Sequence, residues 1–324
     1  MDKLHQIKFP ISEELEEFKE LFDSSLSSSS PLLHEALAHI RQRNGKMMRP
    51  MLVLLIAKIL GEVSSSTFHA AVALELLHTA SLIHDDVVDE SSERRGQASV
   101  NAIYNNKVSV LIGDYILATC LVQASLTSNR EIIETVARLG QDLSEGELLQ
   151  LSNVSNTEIS ESSYFDVISK KTAALFSTCT KAAALSVNAS AEQVEIARLF
   201  GEYIGICFQI KDDVFDYFEN KELGKPTSKD MSEGKLTLPV IFAINSAGNN
   251  APLNLISKVK SGHATSDDIS ELVDFTKNNG GIEYATNMMY DYKVKAFKLL
   301  SGFEDSALKK SLIAYLDYVV DRVN

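Results

Sequence analysis

TFHAAVALELLHTASLIHDDVVD, residues 67–89, decides how this chain is read. Its apolar residues recur every three or four positions, the period of an α-helix. They cover much of the helix circumference, as expected of a helix enclosed by others. Yet the run ends in three aspartates. At 100° per residue, Asp85 and Asp89 lie about 40° apart around the axis and one turn apart along it. Like charges at that spacing destabilise a helix, and acids oppose the macrodipole at its C-terminal end. A neutralising partner is required, and hard divalent cations prefer carboxylate oxygens.

The same spacing returns in CFQIKDDVFDYF, residues 207–218, giving Asp212, Asp213 and Asp216. One D-D-x-x-D reads as a solvated helix end. Two copies, each closing a long apolar helix, point to facing carboxylate sets able to hold Mg²⁺, an ion that commonly bridges to phosphate oxygens. The expected ligand is therefore a phosphate or diphosphate. Basic groups complete the pattern: Arg94 and Arg95 after the first motif, Lys46 and Arg49 in NGKMMRP, Lys171 in SKKTA, and Lys225 and Lys235 further on. Together they suggest two anionic groups, one held through metal and one by guanidinium and ammonium donors alone.

Helical periodicity also covers Val108 to Leu126, Glu131 to Leu151, Tyr164 to Val187 and Ala191 to Phe218, and no period-2 strand stands out. Pro10, Pro31, Pro50, Pro226, Pro239 and Pro252 fall in connections or near helix starts. The expectation is an all-α chain folded as one large bundle, a single domain over residues 1–324. DSSLSSSSP, residues 23–31, reads as the turn between the first two helices. FENKELGKPTSKDMSEGKLTLP, residues 218–239, is a polar connection long enough to be functional.

The 324 residues are 45% hydrophobic and 23% charged, ordinary for a globular protein. A net charge of −13 argues against a nucleic-acid partner and fits a holder of cations. The first residues carry no apolar signal core, and the most apolar run, MLVLLIAKIL at 51–60, is too short to span a bilayer. A cytoplasmic location is expected. Cys120, Cys179 and Cys207 have no close partner or metal-ligand spacing and read as buried free thiols in a reducing compartment.

GKMMRP, LELLHTASLIHDDVVDESSERRGQ, VLIGDY, EGELLQL, KKTAALF, GICFQIKDDVFDY and GKPTSKDMSEGKLTLP follow one another along almost the whole chain. In this ordered set the sequence resembles the trans-prenyltransferases, the polyprenyl diphosphate synthase family that includes farnesyl and geranylgeranyl diphosphate synthases. The resemblance implies a helical bundle of the isoprenoid (terpenoid) synthase type with a central tunnel. It implies Mg²⁺-dependent head-to-tail condensation of isopentenyl diphosphate with an allylic diphosphate. Asp85, Asp89 and Asp212 would hold Mg²⁺, three ions with substrate bound, and Asp86, Asp213 and Asp216 would support them. Arg94, Lys171 and Lys225 would grip the allylic diphosphate, with Lys235 approaching it. Thr172 and Gln209 would line the reacting centre, and Lys46, Arg49, His78 and Arg95 would bind isopentenyl diphosphate. The released diphosphate would take the final proton. A homodimer and transient membrane contact during product release are implied as well.

Helix geometry agrees in part. His78 lies about 20° from Asp85 on the side of Asp89, and Gln209 falls within about 60° of Asp212. EGELLQL departs from the G-Q-x-x-D of shorter-chain relatives, which leaves Glu147 and Gln150 without an assigned role. On the flank away from His78 lie Ser81, Leu77 and Ala80. Short-chain relatives often carry Phe or Tyr at the positions of Ala80 and Ser81, so small residues here let a tunnel continue past them. One turn per isoprene unit gives a medium-to-long all-trans product of roughly six to nine units, suited to a quinone side chain. The rival readings are a short-chain farnesyl or geranylgeranyl diphosphate synthase, a terpene cyclase, and a non-catalytic subunit of a heteromeric synthase. A cyclase has no need of the isopentenyl site, and a non-catalytic subunit would typically have degraded aspartate motifs.

Overall fold

The protein is described from a computed structural model over residues 3–42, 45–94, 96–155, 160–218 and 228–322. Helices account for nearly all of its regular structure. In chain order they are α1 (Lys3–Lys8), α2 (Ser12–Ser25), α3 (Pro31–Arg41), α4 (Met48–Leu60), α5 (Ser65–Val88), α6 (Val100–Leu126), α7 (Arg130–Ser155) and α8 (Glu161–Ile168). There follow α9 (Ala174–Ser186), α10 (Ala191–Phe215), α11 (Lys229–Ser232), α12 (Leu238–Ala247), α13 (Leu253–Lys260), α14 (Ser266–Asn278), α15 (Gly281–Leu299) and α16 (Ala307–Asp321). A hairpin of two two-residue strands, β1 (Glu93–Arg94) and β2 (Gln97–Ala98), was not legible as alternation because each strand is too short to show a period. The chain divides into two compact units, residues 1–141, 175–201 and 303–315 in one, and residues 142–174, 202–302 and 316–324 in the other.

The core of the first unit is built on α4, whose residues Met51 to Ala57 are all buried. MLVLLIA has no polar face to offer water, so α2 and α5 close around it. Each such large side chain contributes about 1.5–3 kcal/mol through burial. A capping box, Ser64 with Thr67, starts α5, and Thr67 Oγ1 also meets Ser186 Oγ at 2.7 Å. Close approach of α6 to α5 depends on Gly113, where a Cβ would stand 2.3 Å from His84 Nε2. Asn105 interrupts α6 with φ +70°, and its own Oδ1 accepts from the N–H groups of Lys107 and Val108 at 3.0 and 3.2 Å. That recapping explains why sequence periodicity begins at Val108 although the helix starts at Val100. By length and composition Val100–Leu126 is long and apolar enough to cross a membrane, which the shorter run at 51–60 is not. Leu111, Leu121, Val122 and Leu126 on this helix are exposed.

In the second unit Tyr217, Met231, Val240, Ile244, Leu255, Ile256, Val259, Leu272 and Val273 form the core, bringing together α12, α13 and α14. Thr265 and Asp268 form a capping box at the start of α14. The run read as one helix from Tyr164 to Val187 is three pieces: α8, a single π turn over Ser169–Ala173, and α9. Two glycines admit the π turn. A Cβ on Gly146 of α7 would press on Lys171 N at 3.0 Å, and one on Gly205 of α10 would meet Ala173 Cα at 2.5 Å. The three cysteines are buried and unpaired, and burial pushes their thiols up to about 12.

Candidate active site

In the first unit the site is built at the C-terminal end of α5. Asp89 is the C-cap residue and exposed, Asp85 is half-buried, and Asp86 is 1% exposed. The hairpin turns back at Gly96 (φ +75°) and sets Arg94 against Asp86, Nε donating to Oδ1 at 2.6 Å. Asn101 Nδ2 donates to the Asp86 carbonyl at 3.1 Å. Asp86 is thus held by the scaffold, while its second oxygen, Oδ2, is buried without a hydrogen-bond partner. Arg95 lies outside the described residues. A cleft of about 280 Å³ opens here, lined among others by Met47, Glu75, His78, Thr79, Leu82 and Arg94. Lys46, between its wall residues Gly45 and Met47, is exposed; Arg49, in the first turn of α4, is half-buried with its guanidinium 5.8 Å from the centre of the Phe176 ring.

On the flank assigned to the tunnel, Ala80 and Leu77 are buried and Ser81 is half-buried. A Cβ built on Gly140 of α7 would find nothing nearer than Leu77 Cδ1 at 4.0 Å. A methyl group there would make ordinary contact with Leu77.

The second unit carries the other motif on the last turns of α10. Asp213 is 2% exposed and accepts at both oxygens, from Tyr164 Oη at 2.5 Å and from Gln209 Nε2 at 2.8 Å. Thr172 Oγ1 donates to Gln209 Oε1 at 2.6 Å, so a chain of hydrogen bonds runs Thr172, Gln209, Asp213, Tyr164. Asp216 caps α11, accepting from the backbone N–H groups of Lys229 and Asp230 at 2.9 and 3.1 Å. The Asp212 side chain is 41% exposed. The π turn projects Lys171 into an ion pair with Glu147, and its Nζ donates to Gln150 Oε1 at 3.3 Å. The two residues left without a role by sequence therefore hold the lysine. Lys235 pairs with Glu233 at 2.6 Å. Lys171, Thr172, Gln209, Asp213 and Lys235 line one cleft of about 230 Å³. Asp212 and Asp216 are not among its wall residues, and Lys225 lies outside the described residues.

Electrostatics in and beside this cleft oppose ionisation. Burial, then the facing Asp230, raises the Asp213 carboxyl well above its ordinary range. Burial raises Asp216, and burial with the Asp216 charge lifts Asp230 to about 6. Tyr164, fully enclosed beside Asp213, is raised well above the usual phenol value. Tyr164 and Asp230 are functional candidates that sequence reasoning missed. Tyr164 opens an unremarkable helix, and Asp230 sat in a connection read only for its lysines.

Among the described residues no group of three or more His, Cys, Asp and Glu side chains is gathered as a ready-made metal cage. The donor set nonetheless fits magnesium, which takes one or two carboxylates and completes its shell with water and substrate phosphate. In the first motif, the buried Asp86 Oδ2 without a hydrogen-bond partner is an acceptor of the kind a cation's shell could satisfy.

An all-α scaffold ending two apolar helices in matched aspartate motifs, with basic side chains beside each, sets this chain beside enzymes that make prenyl diphosphates. Residues 30–276 match the family described as polyprenyl synthetase, and the chain belongs to that family: it is a trans-prenyltransferase with the all-α terpenoid synthase fold. It is 36% identical over 300 residues to an octaprenyl diphosphate synthase of Haemophilus influenzae, covering 92% of this chain and 91% of that one. A decaprenyl diphosphate synthase structure from Rhodobacter capsulatus matches with TM-score 0.93 and 34% identity over 99% of both chains. A geranylgeranyl pyrophosphate synthase structure from Bacteroides thetaiotaomicron matches with TM-score 0.87 and 57% identity, covering 99% of this chain and all of that one.

Proposed function

We propose that this enzyme condenses isopentenyl diphosphate with an allylic diphosphate and releases a medium-to-long all-trans polyprenyl diphosphate. The observation that carries the reading is one division of labour repeated in two separate places. In each motif the second aspartate is buried and hydrogen-bonded to the scaffold, Asp86 by Arg94 and Asp213 by Tyr164 and Gln209, while the first remains partly open to solvent. Asp85, Asp89 and Asp212 are the metal ligands in this reading, with three Mg²⁺ ions when substrate is bound. Bound magnesium supplies Lewis-acid neutralisation of the departing diphosphate. Lys171, Lys225, Lys235 and Arg94 bind that diphosphate, and Lys46, Arg49, His78 and Arg95 bind isopentenyl diphosphate. Thr172 and Gln209, tied to one another, present fixed dipoles to the allylic cation as it forms. The apolar walls exclude the water that would quench it.

Product length rests on Leu77, Ala80 and Ser81, with Ala80 and Ser81 small where a longer product would pass. A second reading, a four-unit geranylgeranyl product, is favoured by the 57% identity to the Bacteroides thetaiotaomicron geranylgeranyl pyrophosphate synthase. The outward apolar residues of α6 support a homodimer, and they also supply a greasy face for transient membrane contact as product leaves. A cytoplasmic location is supported by three unpaired buried thiols. The test incubates purified protein with isopentenyl diphosphate, Mg²⁺ and a series of allylic primers, then measures the chain length of the dephosphorylated product. Chains of six to nine units are expected on the turn-per-unit scale, about one unit per turn. A four-unit end product selects the second reading, and undiminished turnover in EDTA rejects the mechanism.

A further inference from the structure

Arg322, just past the end of α16, reaches the last turns of α10 and meets the first aspartate of the second motif. Its Nη2 donates to Asp212 Oδ1 at 2.6 Å and to the Phe208 carbonyl at 3.0 Å. The guanidinium carbon lies 3.8 Å from the centre of the Phe208 ring and 5.9 Å from that of Phe215. The Arg322 backbone N–H donates to Tyr318 O at 3.0 Å, and the side chain is only 14% exposed. Phe208, Asp212 and Phe215 stand at i, i+4 and i+7 of one helix, so the arginine lies along a single stripe of α10.

We propose that Arg322 is a positioning residue that fixes the Asp212 carboxylate for its cation. The inference rests on the reading of Asp212 as a metal ligand. Two features separate positioning from mere occupation of an empty cation site. First, Arg322 is held by the Phe208 carbonyl, the Phe208 ring and its own helix as well as by the acid it touches. Second, a guanidinium that could take a carboxylate by both oxygens uses one nitrogen on one oxygen here, and the Asp212 side chain remains 41% exposed. Nε is buried without a hydrogen-bond partner, so this geometry is kept at a cost that a free surface arginine would avoid. The arginine's charge opposes the cation's, but partners that orient ligating carboxylates typically raise metal affinity or activity about 10–100-fold.

The test follows Mn²⁺ binding by electron paramagnetic resonance, with inorganic pyrophosphate present, in the parent, Arg322→Gln, Arg322→Lys and Asp212→Ala, alongside steady-state kinetics. Arg322→Gln is expected to weaken Mn²⁺ at least about tenfold and to raise the Mg²⁺ required for half-maximal rate, with the Michaelis constant for isopentenyl diphosphate unchanged. Arg322→Lys should recover part of the loss, since it keeps the charge and one donor. If Asp212→Ala weakens Mn²⁺ while Arg322→Gln leaves it unchanged or tightens it, the positioning role is overturned and the metal site stands. If Asp212→Ala itself leaves Mn²⁺ binding unchanged, the reading of the second motif fails and this inference with it.

Discussion

Asp230, a wall residue of the second unit's cleft, carries a pH dependence of its own. Its carboxyl is lifted to about 6 by burial and by the neighbouring Asp216. An unfolded aspartate titrates near 3.9, so between roughly pH 4 and 6 the folded state binds more protons than the unfolded state. The stability this protonation contributes is present below about pH 4 and is lost as pH rises through about 6. In EDTA, Asp230→Asn should therefore stabilise the protein at pH 7 by about 1–3 kcal/mol and flatten the fall in Tm across that window. A Tm that depends on pH identically in parent and variant would remove Asp230 from the account. At the same scale, Ser81→Phe should shorten the product to about three or four units, because an aromatic ring would stand one turn above Asp85. An active variant with parental chain length would show that no tunnel passes this residue.

Elements show most clearly where local sequence carries structural information and where it does not. The long helices α5, α7 and α10 were legible because their apolar periods run unbroken for many turns. The π turn was hidden inside the same kind of pattern: one extra residue keeps the apolar composition, and only the facing Gly146 and Gly205 betray that another backbone passes close by. Alanine at Gly205 would place its methyl 2.5 Å from Ala173 Cα, which must move. Gly205→Ala is expected to cost about 1–3 kcal/mol by denaturant unfolding and to displace Lys171 and Thr172. The allylic Michaelis constant should then rise more than that for isopentenyl diphosphate, whose assigned residues lie in the other unit. Equal changes in both would argue against the π turn as the platform for the allylic site. The candidate site was legible in its aspartates because D-D-x-x-D is local. Tyr164 and Arg322 were not, since each meets its aspartate from about fifty or a hundred residues away, 49 and 110 in the chain.

For the whole molecule, the open question in sequence was what the apolar helices surround, and α6 answers only for one side. It packs on α5 through Gly113 and leaves Leu111, Leu121, Val122 and Leu126 outward, Leu111 at 68% exposure. In the proposed homodimer this face is covered. Replacing Leu111 and Leu121 together with Glu should convert the dimer to monomer by sedimentation velocity while leaving helicity intact. An unchanged sedimentation coefficient would place any dimer contact elsewhere. An assembly joined through such a face inherits the thermal character of hydrophobic contact, which weakens as the solution cools. Dilute enzyme kept near the freezing point should therefore lose activity over hours and regain it on warming, whereas a concentrated stock at the same temperature should not.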